Sequence, residues 1–349
     1  MRLFHFFFRR LRHCRRWLRA GLSVCLMTPL LALAANLPPV PTAEFHFADG
    51  GVSSYFYLQK AALAENEGGT ENWLFVVGGS GCQSMKRYLP QYFTGLEGES
   101  GLSRIWILQK RFVNLVTDQR IGQAGEAVPC SDAFIRHDHF SQWFADQQAF
   151  IEAMLAAQNA SATSAVPAMR RKRRVIIMGI SEGAEVAPAL ALAIPQTTHL
   201  VLLAHSGASA MDTYRLLAGR YPHMREGWRT LQDSLQTRPE DPDGARVLGR
   251  SWRYWDDLSA LDHLRNLNAL KLPVLWAYGD ADTLIPSDAR ERLKSRLLPE
   301  ARKNWRVCVF KDADHGLMSA AKNRMPDFMW QLDRWLAAGA DDEVCATLQ

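Results

Sequence analysis

A serine lies between two glycines at residues 179–183, which read Gly-Ile-Ser-Glu-Gly. An apolar run typical of a buried strand precedes this motif, and a stretch with helical periodicity follows it. A sharp turn from a strand into a helix presents a serine hydroxyl at the end of a sheet, and flanking glycines relieve the crowding. The helix N-terminus also places partial positive charge beside the hydroxyl. The motif therefore predicts that Ser181 is a nucleophile.

A serine hydroxyl attacks a carbonyl group efficiently only when a base removes its proton and an acid orients that base. His315 stands in Asp-His-Gly, and Asp282 stands in Tyr-Gly-Asp-Ala-Asp; each motif follows an apolar run. We expect Ser181, Asp282 and His315 to form a catalytic triad, with Asp280 as the alternative acid. His205 also follows an apolar run. We expect it to have a structural role, and the alternative is that it lines the pocket without acting as the base.

Residues 78–82, Gly-Gly-Ser-Gly-Cys, follow another apolar run and contain three glycines. Glycines let backbone N–H groups approach a substrate closely. We expect the N–H groups of Ser80 and Glu182 to bind the negatively charged oxygen of a tetrahedral intermediate. No Lys-Ser/Thr follows these glycines as in a phosphate-binding loop, and the sequence has no G-x-G-x-x-G, so a nucleotide site is not expected. This chemistry needs neither a metal ion nor an organic cofactor.

Short apolar runs alternate with amphipathic stretches from residue 72 onward. Continuous apolarity is typical of strands buried on both faces, and strand–helix alternation predicts an α/β fold. The runs are 73–77, 105–108, 175–178, 200–203, 274–277 and 305–310, and the helical stretches are 85–96, 140–157, 182–194, 287–298 and 325–337. We expect a mostly parallel central sheet with helices on both faces, and antiparallel edge strands from residues 44–60.

Residues 208–268 interrupt this alternation and are rich in tryptophan, tyrosine and charged residues. An insertion between two strands of an open sheet lies near their C-terminal ends, where such sheets bind ligands. We expect a helical lid, and the alternative is a helical decoration whose aromatic residues pack into a small core of their own.

The first 34 residues carry seven arginines and no acidic residue, then an apolar stretch and a small-x-small sequence. This pattern predicts a signal peptide at 1–34, and hence a periplasmic or secreted domain at 35–349. The alternative is an uncleaved anchor, but the apolar stretch is shorter than the roughly 18 residues needed to span a bilayer. The remaining 34 basic and 36 acidic residues nearly balance, which argues against nucleic acid and anionic membranes as partners. Only the signal peptide is expected to contact a membrane.

Four cysteines follow the predicted signal peptide: Cys82, Cys130, Cys308 and Cys345. An even number in an exported chain favours disulfides. Four cysteines allow three pairings, and their spacing does not choose among them.

Over residues 72–338 the chain resembles the α/β-hydrolase superfamily, and it looks closest to secreted esterase-like and prolyl-oligopeptidase-like members. Three motifs carry this resemblance: Gly-Ile-Ser-Glu-Gly at 179–183, the run 279–286 around Asp282, and Asp-His-Gly at 314–316. In that superfamily the second residue after the histidine of a His-Gly pair often supplies an oxyanion N–H, and Ser80 matches this position. Gly78 stands where that histidine often stands, so the donor is either Ser80 or Gly81.

The resemblance also implies a disulfide pairing. Cys82 and Cys130 would both lie at the catalytic end of the sheet, so a bond between them would make the site more rigid. A Cys308–Cys345 bond would fasten the C-terminus to the last strand of the predicted sheet.

Together these patterns predict an exported serine hydrolase that cleaves an ester, thioester or peptide acyl bond through an acyl-enzyme. Its substrate would be a small-molecule ester or a short peptide. The alternatives are a short-peptide serine peptidase, an acyltransferase, and a non-catalytic binding protein that keeps the fold.

Overall fold

A computed structural model describes residues 42–63, 69–113, 130–162, 172–338 and 345–348 of the chain. The predicted signal peptide, 1–34, lies outside these residues. None of the helices in the described ranges combines the length and the apolar composition that a membrane span requires.

Nine strands within the described residues form one mixed sheet, in the order β1-β2-β4-β3-β5-β6-β9-β10-β11. From β4 to β10 all neighbours are parallel, whereas the β1–β2, β2–β4 and β10–β11 pairs are antiparallel. The strands, including the separate β7–β8 hairpin, are β1 Thr42–His46, β2 Val52–Lys60, β3 Thr70–Val77, β4 Leu102–Leu108, β5 Lys172–Ile180, β6 His199–Leu203, β7 Arg246–Val247, β8 Arg250–Ser251, β9 Val274–Gly279, β10 Trp305–Phe310 and β11 Ala346–Thr347. The predicted parallel sheet and its antiparallel edge at residues 44–60 are confirmed.

Helices cover both faces of this sheet, as the sequence predicts. They are α1 Leu89–Tyr92, α2 Asp132–His137, α3 Phe140–Ala162, α4 Gly183–Ala193, α5 Ala210–Arg220, α6 Arg225–Ser234, α7 Trp252–Ala260, α8 His263–Ala269, α9 Ala289–Arg296, α10 Pro299–Arg302 and α11 Met325–Ala338. The helix expected at 85–96 is instead a 3₁₀ turn, Met85–Tyr88, followed by the single turn α1. Gly95 then adopts a φ of +100°, which no α-helix continues.

Alternate residues of β3 belong to two separate cores, which explains why its sequence is continuously apolar. Trp73, Phe75 and Val77 pack with residues of α3 and α4 on one face. Leu74 and Val76 pack with residues of α1 and α11 on the other face. Because side chains alternate along a strand, a strand covered on both sides needs apolar residues at every position.

Residues 210–269 form the predicted insertion between β6 and β9, and contain α5 to α8 and the β7–β8 hairpin. Its buried residues make a third core, which includes Leu231, Val247, Trp252 and Trp255. The insertion thus has a small core of its own, as the alternative expectation stated. It also lies against the residues that follow β5 and β6, as described below.

Two disulfides join Cys82 to Cys130 and Cys308 to Cys345. These are the pairs that the resemblance implies. The first links the loop after β3 to the residues just before α2, and the second links β10 to the residues just before β11.

Candidate active site

Ser181 occupies the turn between β5 and α4 with a φ of +54°, a left-handed conformation that non-glycine residues rarely adopt. Its N–H donates to the Leu203 carbonyl at 2.8 Å, which anchors the turn to β6. The motif's glycines make the turn possible. A Cβ on Gly179 would lie 2.4 Å from the Gly183 carbonyl oxygen, and one on Gly183 would lie 2.1 Å from the Val77 carbonyl oxygen. No larger residue fits either position without displacing backbone.

The three residues expected to form a triad are hydrogen-bonded in series. His315 Nε2 lies 2.8 Å from Ser181 Oγ, and His315 Nδ1 lies 2.6 Å from Asp282 Oδ2. The Asp282 side chain is fully buried, whereas a third of the His315 side chain is exposed. A buried carboxylate beside Nδ1 keeps the proton on that nitrogen and leaves Nε2 free to accept the serine proton.

Loops at the ends of two neighbouring strands hold the acid and the base. Asp282 follows β9, and its Oδ1 accepts the Leu284 N–H at 2.8 Å, which fixes the carboxylate orientation. Asp280, the alternative acid, does not contact His315. Its Oδ1 instead accepts the Asp312 N–H at 2.6 Å and so joins the loop after β9 to the loop after β10.

The expected oxyanion loop, residues 78–82, lies beside Ser181. A Cβ on Gly79 would be 3.4 Å from Ser181 Cβ, so the loop passes within van der Waals distance of the serine. Ser80 lines a cavity together with Ser181 and Glu182. Arg250, on the insertion, donates to the Ser80 carbonyl oxygen.

Ser181 and His315 lie on the walls of two cavities. The larger has a volume of about 600 Å³ and apolar walls that include Met85, Tyr92 and Trp143. The smaller, about 190 Å³, lies between the end of β6 and the insertion. Residues of α5 and α7 line it together with Ser181, so the insertion borders the site. His205 lies on the wall of this second cavity, as the alternative expectation for it stated.

A group of buried charged side chains surrounds Glu182, the residue after Ser181. Glu182 Oε1 accepts from Lys110 Nζ at 2.5 Å, and Glu182 Oε2 accepts from the Tyr254 hydroxyl at 2.6 Å. Burial by itself lowers the pKa of Lys110, but Glu182 and Asp138 reverse the effect and raise it above its ordinary value. Burial likewise raises the pKa of Glu182, but Lys110 and Arg250 outweigh it and bring it below its ordinary value. Lys110 and Glu182 therefore remain charged at neutral pH.

Glu185, His205 and His263 form a second buried group, with one potential metal ligand from each residue within 4.8 Å of the others. The N–H of Gly207 donates to His205 Nδ1 at 3.0 Å, and burial lowers the pKa of His205 to about 3. The neutral ring therefore carries its hydrogen on Nε2, 3.3 Å from Glu185 Oε1. A nitrogen that carries a hydrogen has no lone pair for a metal ion. The group is a cluster of close polar contacts, in which His205 Nε2, Glu185 Oε2 and both ring nitrogens of His263 have no hydrogen-bond partner among the described residues.

Sequence reasoning missed the side chains that surround Glu182. The sequence patterns do not point to Lys110, Asp138, Arg250 or Tyr254, although Lys110 comes two residues after the apolar run 105–108. A charged residue inside the serine motif, where the turn is buried, needs a partner of opposite charge. The presence of Glu182 in the motif therefore indicates that a cationic partner exists, but it does not identify that residue.

No protein-family model matches the sequence, and no curated protein is similar to it. Solved structures of similar fold do exist. Est1E from Butyrivibrio proteoclasticus is 11% identical, with 85% of this chain and 99% of that chain covered and a TM-score of 0.51. A soluble variant of monoglyceride lipase from Saccharomyces cerevisiae is 13% identical, with coverage of 88% and 97% and a TM-score of 0.56. At these identities the likeness concerns the fold alone.

Proposed function

We propose that this chain, which has the α/β-hydrolase fold, is an exported serine hydrolase that cleaves carboxylic esters. The observation that carries the proposal is the position of His315, hydrogen-bonded to Ser181 on one side and to Asp282 on the other. The base is within 3 Å of the hydroxyl oxygen whose proton it would remove, and its own orientation is fixed by a buried acid.

In the proposed reaction, Ser181 Oγ attacks the ester carbonyl while His315 Nε2 takes its proton. Asp282 stabilises the resulting imidazolium, and the N–H groups of Ser80 and Glu182 stabilise the oxyanion. Collapse of this intermediate expels the alcohol, which receives the proton from His315. A water molecule, deprotonated by the same histidine, then releases the acyl group as a carboxylate and regenerates Ser181.

The two cavities favour a substrate with parts of unequal size. The cavity of about 600 Å³ is large enough for a bulky group. Met85, Trp143 and Met325 line it, so it favours a group that is apolar. The cavity of about 190 Å³ on the other side of Ser181 admits only a small group. We expect p-nitrophenyl or alkyl esters with bulky apolar acyl groups to be cleaved faster than amides of the same acyl group.

Export is part of the proposal because of the signal peptide expected at 1–34 and the two disulfides. Disulfides persist in oxidising compartments such as the bacterial periplasm or the medium. The periplasm or the cell exterior is therefore the proposed location.

The decisive experiment labels the purified, oxidised protein with a fluorophosphonate and locates the adduct by peptide mass spectrometry. We expect the adduct on Ser181, because only an activated serine attacks the phosphorus atom rapidly. The label should be absent from Ser181→Ala and strongly reduced in His315→Ala, while circular dichroism shows that both variants are folded. An adduct on another serine, or a folded wild-type protein that does not react, would refute the proposal.

A further inference from the structure

One continuous hydrogen-bonded network contacts both residues proposed to bind the oxyanion. Lys110 Nζ joins Glu182 to Asp138, at 2.5 and 2.7 Å. Arg250 extends the network, because Nη1 donates to the other oxygen of Asp138 and Nη2 donates to the Ser80 carbonyl. Lys110 and Asp138 are buried, and only about a fifth of the Arg250 side chain is exposed. The same network therefore holds both the side chain of Glu182 and the backbone of Ser80.

Two members of this network belong to the insertion. Arg250 lies in β8, and Tyr254 lies in the first turn of α7, which the Ser251 hydroxyl caps by accepting the Tyr254 N–H at 3.2 Å. The Arg250 guanidinium carbon lies 4.9 Å from the centre of the Tyr254 ring, a distance typical of a cation–π contact. The insertion therefore holds these groups as one unit against the loop after β3 and the start of α4.

The loop at residues 78–82 needs such support because three of its five residues are glycines. Glycine has wide conformational freedom, so a loop rich in it loses much entropy when its N–H groups are held towards one point. The carbonyl of Ser80 and the N–H of Gly81 belong to one planar peptide group. A donor that holds this carbonyl therefore fixes the direction of the Gly81 N–H and restricts the Ser80 N–H beside it.

Stability alone is a poor explanation for this network. Removing two cations and two carboxylates from water costs several kcal/mol per ion, and such groups are often no more stabilising than well-packed apolar residues. A network that holds the backbone of Ser80 and the side chain of Glu182 has another effect: it restricts the two residues whose N–H dipoles would meet the charge of the transition state, before the reaction begins.

We propose that Arg250 is a positioning residue for the oxyanion hole, so that the insertion completes the catalytic site as well as bordering it. This inference rests on the proposed function, because it assigns Arg250 a task in the hydrolysis at Ser181. Arg250 holds the Ser80 peptide, while Lys110 and Tyr254 hold Glu182. The substrate does not need to contact Arg250 for this effect.

The test compares Arg250→Ala with Arg246→Ala, a matched control in the same hairpin. Arg246 also pairs with α2, through Asp132, but its side chain does not reach residues 78–82. Arg250→Ala should lower kcat for a p-nitrophenyl ester by roughly 10- to 100-fold, with KM changed less than about threefold, since loss of a whole oxyanion donor costs about 10²–10³. Arg246→Ala should stay within about twofold of wild type in both constants.

Two further readouts separate positioning from a general effect on folding. The affinity for a trifluoromethyl ketone, which forms a tetrahedral oxyanion with the serine, should fall in parallel with kcat. Guanidinium chloride at low millimolar concentration should restore part of the kcat of Arg250→Ala and none of that of Ser181→Ala. If Arg250→Ala does not fold, Arg250→Lys replaces it, because an ammonium keeps the charge but cannot bridge Asp138 and Ser80 as the planar guanidinium does.

Wild-type kcat and ketone affinity in a folded Arg250 variant would overturn this inference, as would an equal loss in Arg246→Ala. Either result would leave the proposed function intact, provided that fluorophosphonate still labels Ser181 of the wild-type protein. Failure of that label in the wild type would instead refute the proposed function itself.

Discussion

The backbone of Ser181 is held in an uncommon conformation by bonds on both sides of the turn. Its N–H donates to Leu203, and its carbonyl accepts the Ala184 N–H at 2.9 Å, which starts helix α4. A non-glycine residue in this region costs on the order of 1 kcal/mol or more, so surrounding contacts must maintain it. The result is a hydroxyl that projects towards His315 instead of packing against the sheet.

The two aspartates after β9 should respond differently to the same substitution. Asp282→Asn replaces the acceptor for His315 Nδ1 with an amide that can donate, which favours the wrong imidazole tautomer. We expect kcat to fall by roughly 10³- to 10⁴-fold with little change in stability. Asp280→Asn, which alters only the contact with the Asp312 N–H, should keep activity within about fivefold. Steady-state kinetics on one ester measure both, and the reverse order of effects would make Asp280 the acid.

The buried Glu185 predicts a pH-dependent effect on stability. Burial raises its pKa to about 7, with Glu182 adding to the rise and His263 and the Ala210 N–H opposing it. Between its ordinary value of 4.5 and about 7, the folded protein binds a proton that the unfolded chain has released, so stability is lost as pH rises. Burial lowers the pKa of His205 to about 3 and that of His263 to about 4, so these residues lower stability as pH falls below 6.5.

Glu185→Gln removes the cost of the ionised carboxylate. We compare the free energy of unfolding of the variant with that of wild type at each pH. The variant minus wild-type difference should be larger at pH 8 than at pH 5 by roughly 1 to 3 kcal/mol. Urea unfolding at both pH values measures the difference. The exposed Glu152 on α3 offers a control, since Glu152→Gln should show no such trend. If the stability of Glu185→Gln relative to wild type fell with rising pH, the carboxylate would be favoured by its surroundings and this prediction would be wrong.

At the scale of elements, the packing of helix α4 against β3 depends on the absence of one side chain. Gly183 opens this helix, and its Cα faces the carbonyl groups of Val77 and Gly78 at the end of β3. The close approach brings the start of the helix, which carries the Glu182 N–H, next to the loop that carries Ser80. The spacing of the two proposed oxyanion donors is therefore set by contact between a strand and a helix.

Gly183→Ala should both destabilise the fold and impair catalysis. Its Cβ would lie 2.1 Å from the Val77 oxygen and 2.5 Å from the Gly78 oxygen, so backbone must move. We expect a loss of roughly 1 to 3 kcal/mol in the free energy of unfolding and a kcat at least tenfold lower.

The insertion provides the control for this substitution. Gly219 lies in α5, and a Cβ there would meet nothing within 4 Å. Gly219→Ala should raise the free energy of unfolding by roughly 0.5 to 1 kcal/mol with kcat unchanged. Denaturant unfolding and ester hydrolysis test both variants, and equal stability of the two would show that the helix has room to shift.

At the scale of the whole molecule, the two disulfides close loops in different regions. Cys82–Cys130 closes a sequence separation of 48 residues and holds the loop that contains Ser80. Cys308–Cys345 closes 37 residues and fastens the C-terminal strand to β10. By loop entropy alone each contributes about 4 kcal/mol, because the dependence on length is logarithmic.

Removing the two bonds should therefore have similar effects on stability and different effects on activity. The double variant Cys82→Ala/Cys130→Ala should lose roughly 2 to 4 kcal/mol and at least tenfold in kcat. The double variant Cys308→Ala/Cys345→Ala should lose a similar free energy and keep kcat within about twofold, since Cys308 lies in β10 and Cys345 just before β11, outside the loop that contains Ser80. Denaturant unfolding and kinetics distinguish the two, and equal losses of kcat would contradict this division.

The sequence by itself determined the parallel strands and the order of the candidate triad. Strands that are covered on both faces appear in the sequence as continuous apolar runs. The strand, turn and helix around Ser181 are encoded within about ten consecutive residues. Asp282 and His315 were predicted for the same reason, since each follows a strand closely. The prediction of a helix at 85–96 was wrong, because hydrophobic periodicity does not reveal the positive φ of Gly95.

Only the tertiary structure decided which side chains surround Glu182 and Ser80. Arg250 is separated from Asp138 by 112 residues and from Ser80 by 170, and Lys110 from Glu182 by 72. The Arg250 pairs depend on how the insertion folds back over the sheet, and the Lys110–Glu182 pair depends on how the ends of β4 and β5 come together. No local pattern of spacing or apolarity encodes either arrangement. Local periodicity determines which elements form, whereas charges far apart in the chain become partners only when those elements pack together.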